Sequence, residues 1–399
     1  MTQLSAELDK PYDYIVVGGG AHGCAIAYHL AGKGVSVAVI DAGRIACGAS
    51  GGFGKRGVRG NRRAAVELEL MRQAYELWPA LADELDGETG YKRTGGVILI
   101  EEGGAQASSA VAAAPIHADV QNKLGVPTEV WASTKVRDRL PNVAETVTHA
   151  IYAPLDGVAS HEATTMTYAQ AAQRRGVTIV DGQEVTSLTV DRFGRATAAV
   201  LDDGAQAVYA RRGIVVTTNL TSRRIIEKST GFTLPIWQTF PQAALLRSAN
   251  TPDIPYLTGH ASRTLSVKTL DDGIIMLSGG WRGRWNTRTG AGEVIPTNLE
   301  GNIRELTATF PHLGALSVLA ADASRAESNS PDQSPFIDVV PGTENVVVAA
   351  GWSGHGWALV PSVSKNVAEW LMSGHKPRAL EPFTIARMSK AEVRRAAEV

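Results

Sequence analysis

The chain has two cysteines, Cys24 and Cys47, in 399 residues. Two thiols near one end of a sequence cannot build a disulfide framework or a cysteine-rich zinc site, and the usage fits a reducing compartment. Cys24 falls in a run of small apolar residues, where it reads as core. Charge of one sign is also missing: 39 Lys and Arg stand against 40 Asp and Glu. No bulk field draws the chain to nucleic acid or to an anionic membrane. No run reaches the roughly 18 apolar residues of a membrane helix. The N-terminal stretch MTQLSAELDKPYDY lacks a cationic start and an apolar centre, so it does not read as a secretory signal. A cytoplasmic globular protein is expected, with ample core from 44% hydrophobic residues. At about 100–200 residues per domain it holds two or three. Repeats and low-complexity linkers are lacking too, which favours domains interleaved along the chain.

What is present is strongly punctuated. Tyr12 to Val17 is a short apolar run ending at Gly18 and reads as a strand buried on both faces. Ala21 to Ala31 reads as a helix stopped by Gly32 and Gly34, and Val35 to Ile40 as a second buried strand ending at Asp41. A glycine-rich cationic segment follows, AGRIACGASGGFGKRGVRGNRR, and then an amphipathic pattern that predicts one long helix from Ala64 to Leu85. Helices are also predicted over 105–123, 162–175, 298–309 and 359–372. β-rich stretches lie between Glu184 and Thr217 and between Pro235 and Trp285. Val346 to Ala350 reads as another buried strand, ending at Gly351.

Gly18, Gly20 and Gly23 fit G-x-G-x-x-G in the context that gives the pattern meaning: strand before, helix after, second strand, then an acid. Gly18 permits the tight turn, Gly20 lets backbone approach a pyrophosphate, and Gly23 lets helix and strand pack closely. The helix start offers free N–H groups and a positive dipole end to phosphates. Asp41 stands where a carboxylate takes ribose hydroxyls. The turn by itself leaves NAD and FAD open. A second signal lies far away in VVVAAGWSGHGWALVPSVSKNVAEW, where a buried strand runs into glycines and then a helix. Such a turn can approach a large planar ring, and its helix dipole can stabilise negative charge on a reduced flavin.

These stretches, together with CGASGGFGKRGVR, DGVASHEATTMTYAQAAQRRGVTIVDGQEVTSL and RAESNSPDQSPFIDVVPGTENVVVAAGWSGHGW, resemble the family of FAD enzymes that includes D-amino-acid oxidase, glycine oxidase and sarcosine oxidase. The resemblance spans nearly the whole chain. It implies an α/β fold: a Rossmann-type FAD-binding domain interleaved with an α+β substrate domain built on a mostly antiparallel sheet. Residues 1–95, 146–220 and 321–399 fall to the first, and 96–145 and 221–320 to the second. By position, Gly18, Gly20, Ala21, His22, Gly23, Asp41 and Ala42 would hold the ADP part. Arg44, Gly48, Ala49, Ser50, Gly51 and Gly52 would line pyrophosphate and flavin. Val185 would meet the adenine through its backbone, and Gly351, Gly354, His355, Gly356 and Trp357 would lie against the flavin ring. The implied activity is oxidation of the C–N bond of an amino acid or of a secondary or N-alkyl amine. A hydride passes to flavin N5, the imine hydrolyses, and oxygen or another acceptor takes the electrons.

The resemblance also assigns roles to side chains. Arg56 would face the flavin and Arg59 would hold the substrate carboxylate, a task suited to a planar guanidinium; with His355 they are the catalytic candidates. Arg62 and Arg63 read as a solvated basic face. Arg325 stands where some relatives carry a flavin-linking cysteine, so the FAD is expected to be non-covalent and Arg325 becomes a second carboxylate candidate. A substrate-holding lysine of those relatives is Ala358 here. Their oxygen-activating lysine maps to GIIMLSGG, from Gly273 to Gly280, which contains none; a dehydrogenase is therefore the expected alternative to an oxidase. Trp281, Trp285 and Trp352 are candidates for an aromatic wall around an alkylated amine. His161 stands where the β subunit of heterotetrameric sarcosine oxidases links FMN. It is either an ordinary residue at a helix start or the mark of a second flavin. In the latter case the chain would be the flavin-bearing β-type subunit of a multi-subunit amine, opine or sarcosine dehydrogenase or oxidase. Homo- and hetero-oligomers both remain open, and no metal site is expected.

Overall fold

Two eight-stranded sheets organise the chain. The computed structural model describes residues 8, 10–52, 54–102, 105–204 and 206–388. Most of the N-terminal stretch read above lies outside the described residues.

The first sheet orders its strands Phe336–Val339, Val346–Ala350, Gln206–Val216, Tyr12–Val17, Val37–Ile40 and Thr178–Val180. From Val346–Ala350 to Thr178–Val180 all neighbours are parallel. Strands Val185–Val190 and Ala196–Leu201 extend antiparallel from Gln206–Val216. Parallel strands covered on both faces read as unbroken apolar runs, which is why YDYIVV, VAVI and VVVAA are buried almost throughout. Alternation then sorts the faces. Val16, Val39, Val215 and Val347 pack with residues of helices Ala21–Ala31 and Val360–Ser373. Ile15, Ile40, Ile214 and Val348 pack on the other side with Ile225 and Ile226 of helix Ser222–Thr230.

The second sheet orders Leu316–Asp322, Ala243–Ser248, Ile275–Ser278, Ser266–Thr269, Leu257–His260, Gly96–Glu101, Val147–Ala153 and Glu129–Trp131. Its pairings are antiparallel except that of Leu257–His260 with Gly96–Glu101. Leu306 of helix Pro296–Thr309 and Val136 of helix Ser133–Arg139 close its core. A separate ribbon pairs Lys55–Val58 with Gly157–Ser160, and the arginine-rich loop leaves from its end. The single helix expected from Ala64 to Leu85 is instead four pieces, Ala65–Glu67, Leu68–Leu77, Trp78–Ala80 and Leu81–Leu85. Pro79 has no N–H to continue an α-helical ladder, so the chain tightens into a 3₁₀ turn there. Among the described residues no helix is long and apolar enough to cross a membrane.

Candidate active site

A cavity of about 530 Å³ opens where the parallel strands Tyr12–Val17 and Gln206–Val216 end, the position at which open parallel sheets take ligands. Gly18 turns the chain at φ +106, and its N–H donates to the Ile40 carbonyl at 2.8 Å. A Cβ on Gly23 would sit 1.9 Å from the Gly18 carbonyl oxygen, so only glycine lets the helix lie this close to the strand. Gly20 is different: a Cβ there would meet nothing within 4 Å. Gly20 is the N-cap of helix Ala21–Ala31, no side chain caps it, and the first turn carries no acid. Free N–H groups at a positive dipole end, with open space before them, fit a pyrophosphate. Arg44 and Ser50 line the same cavity. The Asp41 carboxylate accepts from Gly19 N–H at 2.5 Å and Gly43 N–H at 2.7 Å, which fixes the turn and leaves lone pairs for ribose hydroxyls.

The second glycine turn closes the other end. Gly351, Ser353 and Gly354 have φ of 79, 53 and 82, and the chain then enters the turn Trp357–Leu359 and helix Val360–Ser373. His22 ties the two turns together. Its ring stacks on Trp352 at 3.9 Å and 3°, and its Nε2 lies 3.2 Å from the Gly356 carbonyl. Burial pushes its pKa down to about 3, so the ring is neutral and Nε2–H donates.

Between the turns the wall is cationic: Arg56, Arg59, Arg62, Arg63 and Lys268 all line the cavity. They are not equivalent. Arg56 donates to the Ser50 carbonyl at 2.9 Å and to the Gly52 carbonyl, bracing the loop before it; burial lowers its pKa to about 10, against the pull of Asp322 and Glu327. Arg63 reaches Glu67 at 3.3 Å and the His355 carbonyl at 2.8 Å, with its side chain only 6% exposed. It is a buried strut between the arginine loop and the second glycine turn, not the solvated residue expected. Burial raises the Glu67 pKa, but Arg63 and His355 outweigh it and hold the carboxyl below its ordinary value. Arg59 makes no ion pair and no side-chain hydrogen bond among the described residues. Burial lowers its pKa, and Asp156 partly offsets this. Lys268 is buried beside Arg56 and Arg59, and burial first, then those charges, bring its pKa to about 7.

Asp156 shapes the Arg59 loop from behind. Its Oδ1 accepts from the Tyr75 hydroxyl at 2.5 Å and from Gly60 N–H at 2.7 Å. Burial raises its pKa to about 6, the hydrogen bonds opposing. A folded pKa above the ordinary 3.8 means the folded chain holds this proton more tightly, so stability from this group is present at low pH and lost as pH rises to about 6. Asp156→Asn keeps the acceptor and removes the titration. Its melting temperature relative to wild type should therefore climb between pH 3.8 and about 6 and level off above. A difference that stays flat across that window counts against the assignment.

The cavity lining includes most of the expected cofactor residues: Gly18, Gly20, Ala21, His22, Asp41, Ala42 and Arg44, then Gly48, Ala49, Ser50 and Gly51, then Gly354, His355, Gly356 and Trp357. Gly23, Gly52, Val185 and Gly351 do not line it, and Val185 lies within the core of the first sheet. Trp352 lines it, whereas Trp281, Trp285 and Arg325 do not. Trp281 donates to the Thr264 carbonyl at 3.1 Å and packs on Gly301, Trp285 is 44% exposed on a hairpin, and Arg325 is exposed. Lys268 was missed. Its strand pairs with the lysine-free strand onto which the relatives' lysine mapped, Lys268 opposite Met276. The available signal was a lone charge amid the alternating SVKT of a buried strand. Thr217, Asn219 and Glu327 were also missed. Glu327 accepts from Ser50 Oγ at 2.8 Å, and burial raises its pKa.

A glycine cradle for a dinucleotide, a second glycine turn and a cationic wall together define a flavin-dependent oxidoreductase class. The family described as FAD dependent oxidoreductase, DAO, matches residues 13–370, and the chain belongs to it. Sarcosine oxidase subunit beta of Arthrobacter sp is 26% identical over 394 residues, covering 96% of this chain and 92% of that protein. Monomeric sarcosine oxidase of Arthrobacter sp. (strain TE1826) is 24% identical, covering 95% of this chain and 97% of that one. In fold, the L-proline dehydrogenase from P. horikoshii superposes with a TM-score of 0.85 at 23% identity, over 96% of this chain and 99% of the other.

Proposed function

We propose that this chain oxidises the C–N bond of an amine that carries a carboxylate, with FAD held non-covalently. The observation that carries the reading is Arg59: a guanidinium without an ion pair among the described residues, lining the same cavity as both glycine turns. FAD, when bound, supplies the hydride acceptor for the carbon beside the nitrogen, leaving an imine that water hydrolyses. The glycine turn, Asp41, Arg44 and Ser50 would hold its ADP and pyrophosphate part. Gly354, His355, Gly356 and Trp357 would border its ring. Arg59 would take the carboxylate bidentately. The surrounding cations disfavour a substrate ammonium and so favour the neutral amine, whose lone pair the reaction needs. Anaerobic bleaching of the yellow protein against D-amino acids, N-methyl amino acids and larger amines tests this. A flavin that none of them reduces would sink it.

Cofactor cradle and carboxylate site are carried by one chain, which supports turnover without partner subunits. His161 starts helix His161–Arg174 in the wall of the same cavity, its ring edge-on to Trp357 at 6.3 Å; this supports one flavin, with no second one linked there. The sheet pairings support the two-domain division with two shifts: Val147–Ala153, which pairs with Gly96–Glu101, goes to the substrate domain, and helix Ser222–Thr230, which packs Ile225 and Ile226 on the first sheet, goes to the FAD-binding domain. Two unpaired cysteines suit the cytoplasm.

Lys268 favours oxygen as the acceptor, because a buried cation stabilises negative charge developing on oxygen as it is reduced. Lys268→Met is expected to slow oxygen consumption by about 10²-fold and anaerobic bleaching far less. Equal slowing of both would assign Lys268 to substrate binding instead.

A further inference from the structure

We infer that the cavity takes an amine bearing two carboxylates, an acidic amino acid or an N-(carboxyalkyl) amino acid, with Arg59 holding one and Arg62 the other; this rests on the amine-oxidation reading above. Arg62 lies three residues after Arg59 and lines the same cavity. Its backbone sits at φ +60, a conformation that non-glycine residues adopt against steric cost. Both neighbours are anchored: buried Asn61 donates to the Ile151 carbonyl at 2.8 Å, and Arg63 is tied to Glu67 and His355. The turn is therefore held from both sides, and Arg62 alone of the three is exposed.

The guanidinium it presents is held only weakly. Its hydrogen bond is a long one, Nη1 to the His260 carbonyl at 3.4 Å, and among the described residues it has no ion pair. The acids near His260 are taken by another arginine. Arg263 binds Glu101 through two bonds of 3.0 Å and Glu305 at 2.8 Å. Charge balance across the wall points the same way. Arg63 has Glu67, and Arg56 has Asp322 and Glu327 nearby. Asp156 stands behind Arg59; its Oδ1 is taken by Tyr75 and Gly60, and its Oδ2 makes no hydrogen bond to the guanidinium. Arg59, Arg62 and Lys268 are left facing the cavity without an acid that binds them. A substrate with one carboxylate answers one of these charges. A second carboxylate placed toward the exposed end of the loop answers Arg62, which is the more solvent-exposed of the two arginines.

The test uses the FAD-loaded protein and unreactive acids of matched chain, butyrate and glutarate, titrated by the change in flavin absorbance at low salt. Glutarate is expected to bind at least about tenfold more tightly, the worth of one further charge-assisted pair. Arg62→Gln is expected to bring the ratio of the two dissociation constants close to one, and Arg62→Lys to an intermediate value. Arg59→Gln should weaken both acids. Equal affinities in the wild type, or a ratio that survives Arg62→Gln, overturn the inference. If amines bleach the flavin while the acids bind equally, the inference alone fails. If no amine bleaches it, the underlying reading fails first. Should Arg62→Gln lose FAD, the wild-type ratio and Arg62→Lys still decide.

Discussion

Arg59→Ala is expected to raise the substrate concentration for half-maximal flavin bleaching by about 10²–10³-fold, the loss of a bidentate charge-assisted pair in a partly dry site. The same change should leave the melting temperature almost unmoved, because the Arg59 guanidinium makes no hydrogen bond to the rest of the chain among the described residues. Arg63→Ala, four residues on, should do the opposite. It strips the guanidinium from Glu67, whose side chain is 0% exposed, leaves only the His355 ring at 3.4 Å beside that carboxylate, and releases the His355 carbonyl. Breaking a buried ion pair by removing one partner costs about 3–5 kcal/mol, so this variant should melt far below wild type. Arg59→Lys is no rescue, since an ammonium cannot reproduce the planar fork. Stopped-flow bleaching and thermal melting on the same samples separate the two. If Arg59→Ala unfolds the protein, or if it binds substrate normally, Arg59 is not the carboxylate holder.

That pair also shows what the sequence could reveal. The run of arginines announced a cationic loop, but one-dimensional spacing could not sort its members. Arg63 stands four residues before Glu67, a local pairing, but what buries it as a strut is the return of the chain at His355, whose carbonyl it reaches from the far end of the sequence. The nucleotide cradle was legible because strand, turn, helix and acid lie within the span Tyr12 to Asp41, and local sterics fix their geometry. The second glycine turn was legible for the same reason. Lys268 was not, because its place in the wall is set by a hairpin partner, Met276, and not by its neighbours in sequence. Two of the three tryptophans, Trp281 and Trp285, misled in the same way, whereas Trp352 does line the cavity. Trp281 follows a strand of the pocket, yet the chain has already turned away, and its ring packs on Gly301 of a covering helix.

Gly23→Ala and Gly20→Ala should separate the fold from the cofactor site, three residues apart on one turn. At Gly23 the new methyl would lie 1.9 Å from the Gly18 carbonyl oxygen and 2.8 Å from Thr217 Oγ1. Neither can yield cheaply. Gly18 is fixed by its bond to Ile40, and Thr217 Oγ1 donates to the carbonyls of Val17 and Gly18 at 3.0 and 3.1 Å. The helix would have to lift off the sheet and with it Cys24, Ala27 and Leu30, all 0% exposed. A loss of about 4 kcal/mol or more is expected, the range reserved for core overpacking with backbone displacement. At Gly20 the backbone is extended, φ −77 and ψ −177, and the methyl enters open cavity. Apoprotein stability should then change by no more than about 1 kcal/mol, the cost of a poorer N-cap. FAD affinity should fall by about tenfold to a hundredfold, because the methyl occupies the space through which the pyrophosphate approaches the helix start. Melting of the apoproteins and fluorescence titration with FAD read the two effects independently. If Gly20→Ala melts as low as Gly23→Ala, the turn is a structural device and not a phosphate cradle. If Gly23→Ala folds normally, close helix–strand packing is not what requires glycine there.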